Sequence, residues 1–233
     1  MTIFETTLKF CQILLLLGVP TSKVPAQQVK DWLIVPKVRV GPITASSTEK
    51  TLRENFGDSY VSTFRADGEV QSLERGTIIY RNDDSRVVAV SWRNQRNLSD
   101  PDTVTVFCFA YHDTNTPWRT TSGISSTTTL REVEAINGRP FTLSGSKREL
   151  RGTVISWRGG KLEQEVGGGI KIGLWPDDQD LKKLTQEERK SLDPDEISSD
   201  TAVLQKLNPM VDRLVFTFPK EARPSTVLKL KRR

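Results

Sequence analysis

The chain runs through one pattern twice, and that repetition narrows the folds open to it more than any composition figure. Between residues 43 and 92 an apolar residue leads into a Ser/Thr run, a short helix, a glycine, two strands and a tryptophan; residues 124–175 follow the same order. Ile43 and Gly57 lie 81 residues before Ile124 and Gly138. Gly76-Thr77-Ile78-Ile79 precedes Gly152-Thr153-Val154-Ile155 by 76, and Trp92 precedes Trp175 by 83. Small drifts of this size are what loops of unequal length produce between copies of one supersecondary unit.

Each copy carries its own helix and strand signals. Ser46-Ser47-Thr48-Glu49 reads as a capping box, with Ser46 and Glu49 satisfying each other's backbone amides. The helix that follows places Leu52 and Phe56 on one face and stops at Gly57. In the second copy Thr129-Leu130-Arg131-Glu132 is the box, Leu130, Val133 and Ile136 form the apolar stripe, and Asn137-Gly138 ends the helix. Isolated helices shorter than about 12 residues are marginal in water, so each must lie on a sheet. The strands are 76–80 and 87–92 around the polar turn 81–86, and 152–157 and 170–175 around a connection holding Arg158-Gly159-Gly160 and Gly167-Gly168-Gly169. Residues 104–111 add a strand between the copies, with both faces mostly apolar, and 32–35 form a lead-in strand.

The expected fold class is α+β: two helix-plus-antiparallel-hairpin repeats, their hairpins edge to edge in one sheet with the helices on one face. The first repeat with its inter-copy strand occupies 40–112. The second occupies 118–218 and includes a charged excursion over 177–200, anchored by Leu181, Leu184 and Leu192. Within the excursion Thr185-Gln186-Glu187-Glu188 starts a short helix that Asp193-Pro194 ends. Residues 201–207 are helical, Asn208-Pro209 stops them, and Leu214, Phe216 and Phe218 alternate as a closing strand. A basic tail fills 219–233.

The N-terminus sets the expected compartment. Residues 1–26 read as a signal peptide: Lys9 near the start, an apolar stretch around 14–17, then Val24-Pro25-Ala26 ahead of the cleavage point. The stretch has about ten apolar residues, where a spanning helix needs nearer twenty. The expected location is therefore periplasmic or extracellular, without membrane contact beyond the signal. Cleavage removes Lys9, Lys23 and Glu5, so the formal charge of +5 becomes 5 − 2 + 1 = +4. Neither this excess nor the short tail cluster Lys229, Lys231, Arg232 and Arg233 points to nucleic acid. Cys108 is then the one cysteine left, which excludes an internal disulfide and leaves stability to packing and hydrogen bonds. Cys108 sits in an apolar strand pattern and is expected to be a buried hydrophobe. The sole histidine, His112, is four residues on, about 13 Å away at strand rise.

Helix, tight turn and antiparallel strands in tandem, opening at Ile43-Thr44 and at Gly123-Ile124-Ser125-Ser126 and closing the helical part at Phe56-Gly57 and Asn137-Gly138, resemble the β-lactamase inhibitory protein and the small outer-membrane assembly lipoproteins. The resemblance covers residues 40–175. Gly41-Pro42-Ile43-Thr44 and Ser122-Gly123-Ile124-Ser125 stand where that family has Gly-Met-Thr. The resemblance implies a concave sheet that grips another protein.

Motifs for chemistry are few. One histidine makes no zinc site. Asp177, Asp178 and Asp180 lack the glycine and terminal glutamate of a calcium loop. The 167–169 glycines lack the lysine and Ser/Thr of a phosphate loop. No cofactor is expected. The tryptophans carry the sharper signal, since Trp and Arg dominate protein-binding hot spots. Trp118, Arg119 and Trp157 are the candidate contacts of a non-catalytic module that binds another exported or envelope protein. The competing expectation is an exported hydrolase using a carboxylate pair, whose separation the fold would set.

Overall fold

A computed structural model of the chain describes residues 31–64, 75–108, 116–166 and 168–220. The segment expected to be a signal peptide, residues 109–111 of the expected inter-copy strand, His112, Gly167 and the tail beyond 220 lie outside the described residues. The fold is α+β, with antiparallel pairing dominant.

Three short strands open it, β1 (Leu33–Val35), β2 (Arg39–Val40) and β3 (Ile43–Thr44), followed by helix α1 (Glu49–Phe56). Four strands come next: β4 (Val61–Phe64), β5 (Gly76–Ile79), β6 (Val88–Asn94) and β7 (Ser99–Phe107). Strand β8 (Arg119–Thr120) leads to α2 (Leu130–Asn137), β9 (Thr142–Ser144), β10 (Val154–Ser156), the short α3 (Leu162–Glu165) and β11 (Ile170–Leu174). The charged stretch folds as α4 (Asp178–Lys182), α5 (Gln186–Lys190) and β12 (Glu196–Ser198), and α6 (Ala202–Leu207) precedes β13 (Val211–Thr217).

Helices α1 and α2 begin in matching ways and close on matching backbone bonds. Thr44 N donates to Ser47 Oγ at 2.9 Å, and Ser125 N to Thr128 Oγ1 at 2.9 Å. Thr51 N then donates to Thr48 Oγ1 at 3.2 Å, and Glu132 N to Thr129 Oγ1 at 3.4 Å. The closing bonds run from Gly57 N to Arg53 O and from Gly138 N to Glu134 O. Every residue in these pairs is 81 from its counterpart. The first helix is therefore capped by Thr48 with Thr51, not by Ser46 with Glu49, because the cap falls at the last residue of the Ser/Thr run. Both helix starts are tied to the sheet, Glu49 N donating to Leu98 O and Leu130 N to Pro209 O, each at 2.8 Å. Leu52 and Val133 are fully buried beneath. Burial of such side chains is worth about 1.5–3 kcal/mol each, which is what holds eight-residue helices in place.

The strands assemble differently from the edge-to-edge expectation. The six-stranded sheet has the order β11-β13-β7-β6-β5-β4, so the last long strands of the two halves, β7 and β13, pair inside it as its third and second strands. The β10 partner of β11 belongs to a separate three-stranded sheet, β10-β9-β12, joined to β11 by the Thr153–Gly173 bridge and by Leu174 N donating to Gly152 O. A four-stranded sheet, β3-β2-β1-β8, ties the lead-in to the second half through the parallel β1–β8 pair. The physical reason is edge satisfaction: β13 arrives after the excursion with a full row of amides to pair, and β7 offers a longer antiparallel partner than β10. The excursion is anchored as its leucines suggest, Leu184 and Leu192 being buried and Leu181 half-buried.

Candidate functional site

Two of the three candidate contact residues lie in the core. Trp118 is fully buried, edge-on to Trp32 at 4.8 Å between ring centroids, with Nε1 donating to Arg86 O at 3.1 Å. Gly41 makes room for the ring, since a Cβ there would sit 2.7 Å from Asp31 O and 3.0 Å from the indole. Trp157 is buried against Phe141, ring centroids 5.3 Å apart. These two rings are part of the core and not of an outer surface; Arg119 alone of the three is exposed. The Pro117-Trp118-Arg119 context looked polar because the residues that enclose Trp118, on and after β1, are distant in sequence.

The structure brings a different set together. Buried side chains on one face of the long sheet, Val88, Val90, Val104, Val106, Leu214, Phe216, Ile170 and Ile172, pack in the same core as Leu52 and Val133. Among the described residues the other face is less sealed. One transverse row crosses all six strands in register as Lys171, Val215, Thr105, Ala89, Ile78 and Ser62. Each of its members is exposed or half-buried. A second row, Thr217, Thr103, Ser91, Gly76 and Phe64, lies beside it, with Ser91 and Thr103 hydroxyls 2.7 Å apart. Strand β7 is thus buried on one side only. The Thr103-Val104-Thr105-Val106 alternation is the sequence signal for that, obscured by the apolar residues that follow it.

Beyond Lys171 this face continues into an open cleft of about 500 Å³, with Arg148, Glu149, Leu150 and Ile155 in its lining. Leu150 is 53% and Ile155 47% exposed, large apolar side chains left in water beside two cations. Leu150 stands alone between Glu149 and Arg151, and Ile155 follows Val154 in a strand pattern that does not show which of the two faces outward.

Electrostatics concentrate at the β11–β13 irregularity. The register shifts between Gly173 and Leu174, and Asp212 packs its carboxylate over Gly173, where a Cβ would collide with it. Arg213 Nη1 donates to both Asp212 oxygens, at 2.9 and 2.7 Å, and its Nη2 reaches Arg151 O and Thr153 Oγ1. Burial outweighs the pull of Arg213 and Arg151 and pushes Asp212 up to about 6. Burial, with the nearby Asp212 charge, lifts the Cys108 thiol to about 12, so Cys108 is an inert core residue. The charges acting on Asp212 are guanidiniums, not a second carboxylate. Asp177 caps α4 through Asp180 N, and Asp180 pairs with Lys183 at 2.8 Å, so that acidic run serves a helix start. Among the described residues no group of three or more His, Cys, Asp or Glu is placed to hold a metal ion, and no helix is long and apolar enough to cross a membrane.

No protein-family model, curated protein or solved structure matches this chain.

Proposed function

We propose that this is an exported, non-catalytic protein-binding module built from two copies of one helix-and-strand unit, and that it holds its partner on the less sealed face of the six-stranded sheet. The observation that carries the reading is the in-register row from Lys171 to Ser62, short side chains running into the exposed Leu150 and Ile155. Exposed apolar groups ringed by polar ones mark interaction surfaces, because a monomer gains nothing by leaving them in water. Arg148 and Lys171 beside them select a partner segment that pairs an apolar side chain with an acidic one, and complementary charge sets register and on-rate. The helix-capping correspondence at a constant spacing of 81 supports the duplication, and the resemblance to the β-lactamase inhibitory protein points to the same kind of surface.

Site-specific photocross-linking in the native host tests this. A photoreactive residue at Ile155 or Thr105 is expected to trap one dominant protein, and Ile155→Asp to abolish the Thr105 adduct. A probe at Lys50, on the solvent side of α1, is expected to trap none. Equal adducts from Lys50 and Thr105, or substrate turnover by the purified protein with no adduct at all, would reverse the reading.

A further inference from the structure

A second concavity lies away from that sheet row, between the turn at 146–151 and the helices α4 and α5. It is a cleft of about 370 Å³ lined in part by Arg151, Lys182, Arg189, Trp175, Leu181 and Leu192. Asp178 and Asp193 also contribute to its wall, so three cations face two carboxylates and leave one net positive charge. Asp193 is already engaged, accepting from Ser146 Oγ at 2.9 Å with Lys147 3.8 Å away. Arg151, Lys182 and Arg189 make no side-chain salt bridge among the described residues. Arg151 lies over the Trp175 ring, 5.8 Å from its centroid, and Arg189 is steadied by Nη2 donating to Lys182 O at 3.1 Å.

The two halves of the molecule show what is missing here. In the first half Trp92 Nε1 donates to Thr77 Oγ1 at 2.9 Å. The matching residues of the second half are Trp175 and Thr153, but the Thr153 hydroxyl is occupied by Arg213 Nη2 at 3.0 Å. Trp175, nine-tenths buried, is left with an indole N–H that has no acceptor. That N–H is itself closed to solvent, while the rest of the Trp175 ring lines the cleft beside Arg151, Lys182 and Arg189, so the wall sets an aromatic and two leucines next to cations without an ion pair.

We propose that this cleft binds the carboxylate of an apolar acid. Arg151 and Arg189 hold the charge, the Trp175 ring walls the site, and Leu181 and Leu192 take the apolar side chain. A guanidinium fork matches the two oxygens of a carboxylate, and a single net positive charge suits a monoanion. The same chemistry occurs in a free N-acylated amino acid and in the C-terminal residue of a protein ending in leucine or a similar side chain. This site does not depend on the sheet-face reading.

The test is titration of ¹⁵N-labelled protein with N-acetyl-leucine, following the indole cross-peak that Trp175→Phe removes. A saturable shift is expected, absent with N-acetyl-leucinamide and weakened at least tenfold in the Arg151→Gln/Arg189→Gln variant. The acid-against-amide comparison uses the unaltered chain, so it stands even if the double variant folds poorly. A leucine-terminated pentapeptide that binds tighter than N-acetyl-leucine assigns the site to a protein C-terminus; equal or weaker binding assigns it to a free acid. No saturable shift at millimolar ligand, or the same midpoint with inorganic phosphate, would overturn the proposal. Loss of cross-linking at Thr105 in the earlier experiment would leave this result untouched.

Discussion

The chain leaves its two helices in opposite ways. At the end of α1 stands Phe56, buried and edge-on to Tyr80 with ring centroids 5.8 Å apart. Eighty-one residues later the same position is Asn137, equally buried but polar. Its Nδ2 donates to Arg139 O at 2.9 Å and Trp157 O at 3.1 Å, while Oδ1 accepts from Leu162 N at 3.2 Å. Matching helix starts are thus followed by an apolar plug in one half and a polar clasp in the other. The difference teaches what each half tolerates. An apolar plug accepts small shifts of its neighbours, whereas a buried amide must keep every partner or incur the desolvation cost of the group left bare.

The clasp gives the sharpest way to break the comparison. Gly160 presses so closely on Asn137 that any Cβ would overlap the amide, which is held by three hydrogen bonds and cannot swing aside. Gly160→Ala is expected to cost about 3 kcal/mol or more in urea unfolding. Phe56→Leu, at the matching plug, should cost about 1 kcal/mol. Similar losses in the two variants would show that the clasp is as forgiving as the plug.

The next largest effect separates the halves by pH. Asp212, raised from 3.8 to about 6 by burial, holds its proton more tightly folded than unfolded. Stability therefore falls as pH rises between about 4 and about 6, by about 1–2 kcal/mol after discounting for its partial exposure. Glu49 behaves oppositely. Burial pushes it up, but hydrogen bonds from Arg53, Thr77 and Thr63, with the Arg53 charge, outweigh burial and hold it below 4.5. Its contribution is present above that value and is lost as pH falls through the folded pKa. Unfolding free energy measured across pH should lose its slope between 4 and 6 in Asp212→Asn and keep it in Glu49→Gln. An unchanged slope in Asp212→Asn would remove this distinction.

The smallest effect sharpens what the halves share. Thr48→Ala and Thr129→Ala each remove a side-chain cap and should each cost about 1 kcal/mol. The two sites have no common partner, so the double variant should show the sum. A cost confined to one helix would mean that the matching bonds carry unequal weight.

Much of this was legible beforehand where the cause is local. The Ser/Thr runs, the Leu52 and Val133 stripes, the Thr185 box and the Asn208 stop all act within a few residues, and each appears as an element of the fold. The Asn137-Gly138 signal read as a helix end, which it is, yet nothing local shows that Asn137 also clasps the 157–160 turn. A ring is buried by whatever the fold brings to it: Trp32 and Gly41 enclose Trp118 from more than seventy residues away, and Phe141 covers Trp157. The sheet face was half visible in the Thr-Val alternation of β7, but only strand order aligns those residues with their neighbours across six strands.

By itself the sequence determined the α+β class, the two capped helices 81 residues apart and the absence of a disulfide in the 27–233 segment, because these follow from short-range hydrogen bonding and from residue counts. Tertiary structure decided that β7 and β13 pair within the long sheet, which tryptophans have an acceptor, and which side chains remain in water. Those outcomes depend on pairing between distant strands, where backbone hydrogen bonds are nearly indifferent to side-chain identity and the choice falls to the packing of the whole.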